Sequence, residues 1–80
     1  MIGMWIKFEK RQEKPSVCIY DFQNDLADTG SFEIEKKSNN IIIKNFPKDF
    51  SDKDREKLEY LIEKLLINEN YPEKKMWCIG

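Results

Sequence analysis

The chain has 80 residues, with 14 basic and 15 acidic side chains, a net charge of −1 and no histidine. That length supports one small domain over residues 1–80, burying roughly 60–65% of its unfolded surface, which argues against a deep enclosed substrate pocket. Charge neutrality argues against a phosphate-backbone binder, and the missing imidazole removes both the commonest zinc ligand and the usual base for a serine or cysteine nucleophile.

Taken in chain order, "MWIKFE" (4–9) alternates, with Met4, Ile6 and Phe8 on one face and Trp5, Lys7 and Glu9 on the other, the period of a half-buried strand. "KRQEKPS" (10–16) is charged, contains Pro15 and reads as a loop. "VCIYDF" (17–22) is β-branched and aromatic, a second strand. Asn24 and Asp25 fit the tight connection to a third strand in "LADTGSFEIEKK", inside which Gly30 points to a bulge. "SNN" (38–40) repeats the turn chemistry before a fourth strand, "IIIKNF" (41–46), which Pro47 ends.

The strongest periodic signal follows. Ser51 is placed to cap a helix by accepting from the amide of Asp54, and Leu58, Leu61, Ile62, Leu65 and Leu66 then fall on one face. The helix is expected over 52–68, ending at Asn68 or Asn70 with Pro72 beyond it. Tyr60 and Ile67, seven apart, form an outward pair beside Lys64. "KMWCI" (75–79) is a last strand. The fold class is α+β, an antiparallel sheet of about five strands with one helix packed on one face, in the order β-β-β-β-α-β.

A single helix covers one sheet face and leaves the other open. The second strand is apolar on both faces apart from Asp21, and similar conflicts arise at Ile41–Ile43 and at Met76–Cys78. Some apolar surface should therefore stay outside the core. Trp5, Tyr20 and Trp77 are its candidate aromatics, unless the loop at 10–16 or the 69–74 connection folds over them.

"YDFQNDLADTG" (20–30) adds three carboxylates, Asp21, Asp25 and Asp28. Their spacing lacks the alternating ligands and flanking helices of a calcium loop, so no metal is assigned. Asp21 followed by "EKK" (35–37) has the order of a magnesium nuclease core, but the chain is too short for the helices such a core requires. The three isolated glycines make no phosphate loop, and no catalytic residue or cofactor is assigned. Cys18 and Cys78, sixty apart and each within an apolar run, read as core thiols in a reduced cytoplasm. The N-terminal apolar run is short for a signal peptide, and no segment has the length of a membrane span.

With its aromatic candidates, its carboxylate-rich hairpin and its lack of catalytic residues, the chain resembles small bacterial immunity and antitoxin proteins. The resemblance implies a non-enzymatic inhibitor that neutralises a partner protein such as a toxic nuclease, with Trp5, Tyr20 and Trp77 as anchors and Asp21, Asp25 and Asp28 facing a basic surface. Asp21 and Asp28, flanking the turn, are expected to project together. A homodimeric structural or regulatory subunit and a phage-encoded inhibitor of a host enzyme share the same signature. Nucleic acid is the less favoured partner, because the carboxylates would repel phosphate.

Overall fold

The computed structural model describes residues 3–78. Five strands, β1 (Trp5–Glu13), β2 (Val17–Asn24), β3 (Thr29–Glu35), β4 (Asn40–Asn45) and β5 (Lys74–Cys78), form one antiparallel sheet in the spatial order β4-β3-β2-β1-β5. Between β4 and β5 the chain forms α1 (Asp52–Ile62), which continues as a π-helical turn over Glu63–Ile67. This is the α+β arrangement the pattern predicts, in the order β-β-β-β-α-β. The first four strands are a meander. Because β4 and β5 lie at opposite edges, the helical segment and its connections cross from one edge to the other over a single face.

Alternation decides what lies beneath that crossing. Ile6 and Phe8 of β1, Cys18, Tyr20 and Phe22 of β2, and Phe32 and Ile34 of β3 are all buried, and Leu58, Leu61, Ile62 and Leu66 close over them. Phe32 is the hub of the aromatics. Its ring centroid lies 5.9 Å from Phe8 edge-on, 5.6 Å from Tyr20 in a stack and 6.1 Å from Phe22, separations at which aromatic pairs gain beyond area burial.

The helix begins as predicted. Ser51 accepts from the Asp54 amide, while the Asp54 carboxylate accepts from the Ser51 amide at 2.9 Å, closing a capping box. Its end departs from the simple period. In the π turn the Asn68 amide donates to the Glu63 carbonyl at 3.0 Å, one residue further back than in an α-helix. The extra residue rotates the last turn, so Ile67 packs against the core instead of standing outward with Tyr60. Asn70 (φ 63°) and Tyr71 (φ 58°) then follow one another in the left-handed region.

Other expectations change at strand ends. Residues 10–13 are strand, not loop: β1 runs on to Glu13 with its register shifted between Lys10 and Gln12, so Arg11 is carried as an extra residue. The β2–β3 turn occupies residues 25–28, so Leu26 is an exposed turn residue and not the start of β3. Gly30 makes no bulge; it pairs regularly with Phe22, and the irregularity falls one residue later, between Ser31 and Phe32 opposite β4. Glycine is required there by close approach, since a Cβ would collide with the Asn45 carbonyl oxygen and the Phe22 ring. Cys78 is exposed and only Cys18 is buried, so the expectation of two core thiols holds for one of them. The predicted strand residue Ile79 lies outside the described residues. No helix among them is long and apolar enough to cross a membrane.

Candidate functional site

Among the described residues no element covers the face of the sheet away from α1, and that face is the candidate site. Register places Trp5, Lys7 and Glu9 of β1 on it, beside Cys78, Met76 and Lys74 of β5 and, on the other side, Gln23 and Asp21 of β2. Farther along β2 the pattern continues with Ile19 and Val17, next to Glu33 and Glu35 of β3, with Ile42 of β4 beyond Glu33. Trp5, Val17, Ile19 and Ile42 are half-buried, each shielded only by its neighbours on the open face.

Charge interleaves with these apolar residues. The Arg11 guanidinium binds the Asp21 carboxylate through two nitrogens, with Nε donating to Oδ2 at 3.0 Å and Nη2 to Oδ1, a bidentate geometry that holds both side chains over the sheet. Lys7 lies 4.0 Å from Glu9, and Lys44 3.9 Å from Glu33. A shallow depression of about 560 Å³ lies among Lys7, Glu9, Arg11, Asp21, Gln23 and Asn45. Two cations balance two anions around it, so it generates no net field that would concentrate a phosphate or a metal ion. Its walls are mainly charged or polar, with Phe22 and Gly30 between them, and the hollow is open to water.

The six residues singled out in the sequence do not converge here. Trp5 does stand on the open face, as does Asp21. Tyr20 does not: it is fully buried under the helix, and its hydroxyl donates to the Pro72 carbonyl at 2.6 Å. Burial pushes its phenol pKa upward. Trp77 also faces the helix side, half-buried against the core, with the Lys57 ammonium 4.5 Å from its ring centroid. The aromatic patch therefore reduces to Trp5, because Tyr20 and Trp77 have the opposite parity along their strands.

The carboxylates are dispersed too. Both Asp25 oxygens accept from the Met4 amide, each at 3.1 Å, tying the start of β1 to the turn. Asp28 accepts from the Asn24 side-chain amide at 3.4 Å, while Asn24 Oδ1 receives the amides of Leu26 and Asp28 at 3.0 and 2.9 Å. Asn24 is buried on the helix side, so Asp28 is drawn there while Asp21 points to the opposite face. The two do not project together. Asp21 and Glu35 do share a face, but Asp21 sits opposite Ser31 and Glu35 opposite Val17, so they do not form a paired-carboxylate centre.

Sequence reasoning missed Arg11, assigned to a loop, together with Gln23 and Asn45. Alternation does mark Gln23 as a face-mate of Asp21. The inserted Arg11 carries no such mark, since an extra strand residue is visible only once a partner strand fixes the register. No family model, curated protein or solved structure matches the chain.

Proposed function

We propose that the protein is a non-enzymatic protein-binding module, acting in the cytoplasm in the manner of a small bacterial immunity or inhibitor protein, and that its contact surface is the uncovered face of the sheet. One observation carries this reading: Trp5, Val17, Ile19 and Ile42 stand half-buried on a face that no other element among the described residues covers. An apolar centre with a charged margin is the usual anatomy of a protein interface. Two free thiols, one buried and one exposed, fit a reducing compartment.

The structure changes how such a module would engage a partner. Arg11 already neutralises Asp21, and Asp25 and Asp28 are consumed in the turn, so a uniformly basic surface is not what this face complements. A partner presenting an apolar centre with alternating charges is. A toxic nuclease remains within that description if it is met outside its nucleic-acid groove.

Trp5→Ala and Ile19→Asp are expected to abolish retention of the partner by the tagged protein in extracts of its host, while Tyr60→Ala on the far helix face leaves retention intact. Equal retention by all three variants would refute the assignment of the face. Sedimentation of the pure protein separates a homodimer built on this face, which Ile19→Asp would dissociate.

A further inference from the structure

The link between the helix and β5 combines strain with a strand that is weakly held. Asn70 and Tyr71 are consecutive left-handed residues, and a tyrosine in that region is a genuine outlier. Tyr71 also precedes Pro72, and the proline ring biases the preceding residue toward extended backbone. The strand that follows lies at the sheet edge, pairs among the described residues with β1 alone and contains no fully buried residue.

We propose that β5 exchanges between two copies of this chain, giving a strand-swapped dimer hinged at Asn70 and Tyr71. Short hinges under strain favour swapping, because straightening the hinge relieves strain while every contact of the exchanged strand is remade in the partner copy. The contacts divide cleanly at this hinge. Beyond it, the Pro72 carbonyl accepts from Tyr20 at 2.6 Å, the Glu73 carbonyl accepts from the Lys10 amide at 2.8 Å, Lys75 pairs with Glu69 at 2.7 Å, and Trp77 packs under Lys57. A β5 arriving from the second copy restores each of these. Before the hinge, the Asn68 amide keeps its bond to Glu63 within its own chain. What straightening the hinge gives up lies at the hinge itself: Asn70 N–H to the Ile67 carbonyl at 3.3 Å, Tyr71 N–H to the Leu66 carbonyl at 2.8 Å, the Lys36 ammonium 5.2 Å from the Tyr71 ring, and the packing of that half-buried ring against the core. The open sheet face stays uncovered in the exchanged form, so the two proposals stand or fall separately.

Trp5 and Cys78 are directly opposed across β1 and β5, within disulfide reach for antiparallel neighbours. Trp5→Cys is therefore refolded over a series of protein concentrations, oxidised and run on denaturing gels without reductant. Exchange predicts a covalent dimer whose fraction rises with refolding concentration, well above the level that wild-type Cys78 alone gives under the same oxidation. Cross-links that stay within one chain at every concentration would overturn the proposal, including the case where sedimentation shows a dimer, since that dimer would then use another surface. A second arm does not depend on Trp5→Cys folding. Tyr71→Gly, which removes the left-handed penalty, should lower the dimer fraction of the otherwise native chain by roughly tenfold; an unchanged or larger fraction counts against the hinge.

Discussion

Tyr20 places a hydroxyl inside an apolar core, where it donates to the Pro72 carbonyl. Tyr20→Phe removes the donor and leaves that carbonyl without this partner, at a cost of about 1 kcal/mol in urea unfolding. The same burial gives the fold an alkaline limit. Because the phenol pKa is raised in the folded state, its contribution is intact below the unfolded value of 10.0 and declines as pH rises past it, when the unfolded chain ionises first. Wild type should therefore lose more stability between neutral pH and pH ~11 than Tyr20→Phe does. Gly30 is the other residue whose identity the packing dictates. Gly30→Ala forces its methyl group against Phe22 and the Asn45 backbone and should destabilise by about 1–3 kcal/mol.

Among the elements, the β2–β3 hairpin is held by side chains that look functional in the sequence. Asn24 gathers two turn amides and Asp28, and the turn that results forces Ala27 to φ 63°. Alanine pays for that conformation, so Ala27→Gly should raise the denaturation midpoint, worth about 0.5–1 kcal/mol after glycine's larger unfolded entropy is allowed for. The helix shows the complementary case. Its capping box and its Leu58, Leu61, Ile62 and Leu66 face are readable in sequence because each depends on residues within one or two turns. The π turn is not readable in that way: it inserts one residue so that Ile67 reaches a core whose position the sheet sets.

Across the whole molecule, Glu13 ties the far end of β1 together, accepting from Lys10 at 2.7 Å and from Lys36 just past β3. Those two hydrogen bonds lower its pKa from 4.5 to about 2. The fold favours the carboxylate, so this contribution is present above the unfolded value and disappears as pH falls from 4.5 toward 2. Glu13→Gln is expected to lose stability at neutral pH and to show a shallower decline than wild type across that interval in urea titrations. At this scale, too, the open face separates folding from recognition. Leu61→Ala, in the core, should cost about 2–5 kcal/mol, whereas Trp5→Ala, on the uncovered face, should leave the fold intact.

The sequence by itself determined the number, type and order of elements, since strand alternation and the helical stripe are local periodicities that burial on one side imposes. It also showed that one helix covers a single sheet face, which left cover of the other to the loop at 10–16 or the 69–74 connection. Tertiary structure alone decided which residues occupy that face. A strand that is apolar on both sides gives alternation no direction, and pairing with β1 and β3 was needed to turn Tyr20 inward and Ile19 outward. The carboxylates of residues 21–28 follow the same logic: adjacent in sequence, they are parted by the pleat and the turn, Asp21 toward Arg11 on the open face and Asp28 toward Asn24 on the other.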